Sequence, residues 1–190
     1  APGPARGRAR RRGRPRDPRE GVPSPDDKWV ALFRDANLHA RELESGDEFA
    51  LSTDGSAEDE YGGRIWWSPD SRRVVALRTT KGDERKVYYV ESSPRDQLQP
   101  KLHSYLYLKP GDAIAQSRPQ LFDPEARRHI AVDDALFPNP WSITELRWAE
   151  DGSEFYFLYN QRGHQLMRVI AVDAATGAAV PSRHETAADL

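Results

Sequence analysis

The sequence contains no cysteine. Disulfides, thiolate metal ligands and a cysteine nucleophile are thereby excluded. No apolar run approaches the roughly 20 residues that a bilayer-spanning helix needs. A basic stretch stands at the N-terminus with no apolar segment behind it, so no secretory leader is visible. The Gly-x-Ser-x-Gly pentapeptide that presents a hydrolase serine is also missing. His39, His103, His129, His164 and His184 are scattered without metal-ligand spacing and read as ordinary strand or surface histidines. The sequence thus offers no catalytic residue, no metal site and no cofactor site.

Residues 1–23 carry eight arginines, no lysine and almost nothing apolar. Such a segment buries too little surface to offset the entropy of ordering it, and it reads as a disordered tail. Arginines engage phosphates well, so a nucleic-acid-binding arm is the rival reading. However, no aromatic is interleaved for base stacking. The net charge of −2 also leaves the rest of the chain distinctly acidic, which argues against nucleic acid as a partner of the folded part. A solvated linker is the preferred reading. At the other end, residues 183–190 trail off in small and polar side chains and read as the end of a fragment.

Between these ends the chain is rich in large aromatics and in turn formers. Five Trp, seven Tyr and six Phe supply core, and fifteen Pro and thirteen Gly supply turns, a mixture that favours an all-β fold. Three segments repeat one pattern. Ser24-Pro25-Asp26-Asp27 precedes Lys28-Trp29-Val30-Ala31-Leu32-Phe33, Ser68-Pro69-Asp70-Ser71 precedes Arg72-Arg73-Val74-Val75-Ala76-Leu77, and Ala149-Glu150-Asp151-Gly152 precedes Ser153-Glu154-Phe155-Tyr156-Phe157-Leu158. Asp and Ser side chains bond to nearby backbone and hold such turns, and Pro presets φ. The apolar runs behind them suit buried strands. A second turn and strand follow in each unit: residues 35–37 before 38–43, residues 81–83 before 86–91, and residues 161–163 before 164–173.

The first two units are offset by 44 residues and the next two by 81. A four-stranded propeller blade occupies about 40–50 residues. The long middle unit is therefore two blades or one blade with an inserted hairpin, and residues 102–108 followed by Lys109-Pro110-Gly111-Asp112 look like that hairpin. The fold read from the repeat is a partial β-propeller at residues 24–182, with about three four-stranded antiparallel blades and the ring not closed. Open blades leave strand edges that favour self-association.

The turn and strand at residues 24–38 resemble the N-terminal propeller of the dipeptidyl peptidase IV branch of the prolyl oligopeptidase superfamily. Trp66-Trp67-Ser68-Pro69-Asp70-Ser71, Tyr105-Leu106-Tyr107-Leu108-Lys109-Pro110-Gly111-Asp112 and Tyr159-Asn160-Gln161-Arg162-Gly163-His164-Gln165 are similar to later segments of that family, in the family's order. The resemblance covers roughly residues 23–180. It implies a serine exopeptidase whose propeller caps an α/β-hydrolase domain in cis and admits short peptides, which lose N-terminal dipeptides. It also implies a periplasmic or secreted setting, with a cytoplasmic one left open. A stand-alone protein-binding propeller is the alternative, because fold does not fix function.

The family's propeller places a glutamate pair before the blade that opens with Trp-Trp-Ser-Pro, where it holds the substrate's amine through charge-assisted hydrogen bonds. Glu58, Asp59 and Glu60 stand in that region, though the aromatic-Glu-Glu pattern is absent and the spacing is shorter. A solvated acidic loop is the competing reading. Arg162 and His164 are expected at an exposed turn, where Gly163 suits a positive φ.

Overall fold

The computed structural model describes residues 21–182, so most of the tail, together with residues 183–190 and His184, lies outside it. Fourteen strands and no helix are found among the described residues, and nothing there is long and apolar enough to cross a membrane as a helix. The first blade is β1 (Val22–Pro23), β2 (Trp29–Arg34), β3 (Asn37–Glu42) and β4 (Glu48–Ala50), hydrogen-bonded in that order. Val22 and Pro23, assigned to the tail by composition, thus pair with Ala31 and Val30. The second blade consists of β5 (Asp59–Trp67), β6 (Val74–Thr80), β9 (Gln116–Asp123) and β10 (Arg128–Ile130). The third is β11 (Pro140–Trp148), β12 (Glu154–Gln161), β13 (Met167–Asp173) and β14 (Ala179–Pro181). Every pairing is antiparallel, as expected of a partial propeller.

The long middle unit is one blade with an inserted hairpin, β7 (Lys86–Glu91) and β8 (Lys101–Leu106), which form their own two-stranded sheet. One detail corrects the sequence reading. Residues 86–91 are not the blade's third strand; β9 is, because it carries Leu121 and Phe122, both fully buried, whereas β7 is largely exposed. Strand propensity favours β7 instead, since it carries Val87, Tyr88, Tyr89 and Val90 whereas β9 has Phe122 alone of that kind and includes Pro119.

The first two of the repeated turns are alike atom by atom. Ser24 Oγ donates to Asp26 (2.6 Å) and accepts from the Trp29 N–H (3.0 Å). Ser68 Oγ likewise donates to Asp70 (2.6 Å) and accepts from the Arg73 N–H (2.8 Å). In the third turn Ala149 lacks the hydroxyl, and Asp151 accepts from Ser153 instead. The fourth position is left-handed in all three, with φ of 56° at Asp27, 61° at Ser71 and 71° at Gly152. Asp tolerates that region better than most side chains.

These turns and the strands before them also join the blades. The Asp26 N–H donates to Ser71 Oγ of the next turn (3.0 Å). Trp67 Nε1 donates to the Val22 carbonyl (2.9 Å), and Trp148, at the equivalent place one blade on, donates to the Trp66 carbonyl (3.2 Å). Side chains alternate faces along a strand, so the middle blade feeds two cores. Val74, Ala76 and Phe122 pack with Trp29, Ala31, Leu38 and Trp67, whereas Val75 and Leu121 pack with Phe155, Phe157, Ile170 and Val172. Each large side chain buried this way contributes roughly 1.5–3 kcal/mol. The sandwiching explains why Val74-Val75-Ala76 is apolar without alternation.

Candidate functional site

The acidic segment sits where β5 begins. Asp59 pairs across the sheet with Thr80, and two residues on, Tyr61 pairs with Arg78. This register places the Arg78 guanidinium between two carboxylates, Asp54 (2.5 Å) and Asp59 (2.8 Å). Thr80 Oγ1 also donates to Asp59 (3.1 Å), and Arg78 Nη2 reaches the Asp54 carbonyl (3.1 Å). The Tyr61 hydroxyl donates to Asp54 (3.0 Å), and Arg78 stands 5.6 Å from the Tyr61 ring centroid. Burial, reinforced by the Asp54 carboxylate, raises the Tyr61 phenol far above its usual range, so it remains a donor. Burial works against the charge on Arg78, but the Asp54 and Asp59 carboxylates outweigh it and the guanidinium stays protonated.

Asp59 is therefore committed to Arg78 and Thr80. Glu58 and Glu60 are exposed, and among the described residues neither has an ion pair or side-chain hydrogen bond. Asp59 and Glu60 are neighbours on a strand and face opposite sides of the sheet. The structure does not gather the three carboxylates into one cluster.

Beside Asp59 opens a cleft of about 440 Å³ lined by Arg78, Thr80, Lys81, Ile114 and Arg118. Arg118 pairs with Asp134. Lys81 has no ion pair among the described residues. This lining can hydrogen-bond and ion-pair with a polar chain segment. The hydroxyl in this lining, Thr80, donates to Asp59 (3.1 Å), and no histidine lines the cleft. None of the four described histidines bonds to a serine or threonine; their partners are Glu48, Glu91, Gln120 and Asn160.

Arg162 and His164 stand in the β12–β13 turn, exposed, with φ of 96° at Gly163 and 56° at His164. His164 bonds to Asn160 (2.9 Å) and meets the edge of Trp141. Arg162 reaches away from the turn and donates to the Asp112 carbonyl (2.6 Å), next to the residues that wall the cleft. Sequence reasoning passed over Arg78 and Arg118. No motif marks them, and the pairing of Arg78 with Arg118 across β6 and β9 brings them to the cleft.

Residues 20–189 match the family model described as the dipeptidyl peptidase IV (DPP IV) N-terminal region. The chain is 24% identical over 192 aligned residues to the Pyrenophora teres f. teres protein named "Probable dipeptidyl-aminopeptidase B", covering 88% of this chain and 21% of that protein. It is 26% identical to the dipeptidyl-aminopeptidase B of Aspergillus niger, again covering 88% of this chain and 21% of the relative. Its fold is similar to that of Porphyromonas gingivalis dipeptidyl peptidase 4, with a TM-score of 0.61 at 20% identity, covering 85% of this chain and 24% of that one. The chain thus spans about a fifth of the length of these curated relatives. With a match that runs through all three blades, the chain belongs to the dipeptidyl peptidase IV N-terminal region family.

Proposed function

We propose that this chain is the noncatalytic propeller portion of a dipeptidyl-peptidase-like serine exopeptidase. In this reading the blades restrict and position peptides for an α/β-hydrolase domain carried elsewhere in the parent protein. One observation carries it: the family match runs through three consecutive blades. The cleft at Asp59 supplies polar and charged groups that suit a peptide backbone and its termini. Glu58 and Glu60 carry the free carboxylates of the same segment, and they are the groups assigned here to the substrate's amine.

The purified chain should not hydrolyse X-Pro or X-Ala chromogenic dipeptides above a mock preparation. Turnover that survives removal of contaminating proteases contradicts the reading. In the full-length parent, Glu58→Gln and Glu60→Gln should raise KM for free-amine peptides; unchanged kinetics remove the carboxylate assignment but not the propeller role. A Gly-x-Ser-x-Gly strand–turn–helix in the parent gene supports the peptidase.

A further inference from the structure

The inserted hairpin is an arm with little support of its own. Its strands find their main contacts in each other. Register puts Tyr88, Val90, Leu102 and Leu106 on one face, where they are 61%, 61%, 70% and 62% exposed. Tyr89, His103 and Tyr105 share the other face as an aromatic ladder. A two-stranded hairpin is marginally stable in water. Something outside the ladder must set its direction.

The neck supplies it. Arg85, at the start of the arm, forms a bidentate pair with Asp112, just beyond its end, with both N–O distances 2.7 Å. The same carboxylate accepts the Lys109 N–H (2.7 Å). One residue further out, Asp83 exchanges two bonds with the Ala113 backbone, donating its N–H to the carbonyl (2.9 Å) and accepting the N–H on its carboxylate (2.7 Å). The two sides of the neck run in close backbone contact, for a Cβ placed on Gly82 would lie 2.5 Å from the Ala115 nitrogen. From the third blade, Arg162 reaches across to the Asp112 carbonyl, and its own N–H is held by the Asn139 carbonyl (3.0 Å). Immediately after Asp112, Ala113 and Ile114 wall the cleft.

We propose that Asp112 is the latch of this arm: Arg85 closes the neck on its carboxylate, and Arg162 ties its carbonyl to the third blade, fixing the arm's angle and the adjoining cleft wall together. Arg162 is a positioning residue in this device. The bidentate geometry gives direction as well as attraction, because guanidinium and carboxylate planes must align. The Arg85 pair, and then the Lys109 N–H, hold the Asp112 carboxyl well below the usual carboxylate range, so the neck stays closed at neutral pH. The latch does not depend on the peptidase reading.

The chain has no cysteine, so two can be introduced cleanly for spin labels. Ser93→Cys near the arm's tip and Ala175→Cys on the third blade are both exposed. Their dipolar distance distribution is measured in the whole chain, diluted with unlabelled chain to suppress intermolecular pairs. The parent should give one narrow distance. Arg162→Ala should widen the distribution at least twofold at an unchanged urea midpoint, and Arg162→Lys, which keeps one donor, should restore part of the narrowing. Asp112→Asn should widen it too, through the neck. A broad distribution in the parent, or an unchanged width in Arg162→Ala, overturns the proposal.

Discussion

Gly55 lies at the junction of the first two blades, and replacing it with alanine tests how tightly they are fitted. A Cβ built there would sit 2.0 Å from the Ala36 carbonyl oxygen, 2.7 Å from the Ala36 carbonyl carbon and 2.9 Å from Asn37 Oδ1. Two of these are backbone atoms, so no rotamer change relieves the clash. The Ala36 carbonyl accepts the Tyr61 N–H (2.9 Å), and Asn37 Oδ1 accepts the Gly55 N–H (2.9 Å) and the Ser52 hydroxyl (3.0 Å). Any movement that admits the methyl group weakens at least one of these bonds. Overpacking costs about 1–3 kcal/mol, and a weakened hydrogen bond adds about 1 kcal/mol. The reduced freedom of the unfolded chain offsets about 0.4–1 kcal/mol. The expected net loss is about 1–3.5 kcal/mol, or a Tm lower by about 2–14 °C for a chain of this size. Thermal and urea unfolding followed by tryptophan fluorescence will read it, because Trp29 and Trp67 are buried at this junction. Gly62→Ala is the control. No atom lies within 4 Å of a Cβ there, so its stability should be unchanged or raised by up to about 1 kcal/mol. A Gly55→Ala protein as stable as the parent, or a Gly62→Ala protein equally damaged, refutes the argument.

Acid should loosen the turns. The Ser24 hydroxyl lowers the pKa of Asp26, and the Thr176 hydroxyl does the same for Asp173. A carboxylate depressed in the folded state stabilises above its ordinary value near pH 4, and that contribution is lost as pH falls through the folded value. The urea midpoint should therefore drop as the pH falls below about 4, and by less in Asp173→Asn; equal drops in both proteins count against the assignment. Open strand edges and the exposed faces of the β7–β8 arm predict self-association. Light scattering should show species heavier than one chain that grow with concentration, and a monomer at every concentration contradicts this.

The repeating turns were legible because their chemistry is local. Ser24, Asp26, Ser68, Asp70 and Asp151 bond within five residues of themselves, so the pattern survives in the linear chain. The inserted hairpin was legible only in part. Residues 86–91 look like a strand and β9, with Pro119 and few β formers, does not, and what makes β9 the third strand is burial against neighbouring blades. The Glu58-Asp59-Glu60 run shows the same limit, since the family resemblance singled out all three carboxylates together. Alternation along β5 and the capture of Asp59 by Arg78 dispersed them.

From sequence alone came the fold class, the number of blades, the place of each first hairpin and the family resemblance. All follow from short-range turn chemistry and from apolar runs of strand length. Which strand is third in the middle blade, which carboxylate is free and where Arg162 reaches were decided by tertiary structure. These depend on register and on contacts between residues such as Arg78 and Asp54, or Arg162 and Asp112, that lie 24 and 50 positions apart. Once a one-residue slip in register turns a side chain to the other face, composition no longer says what it meets.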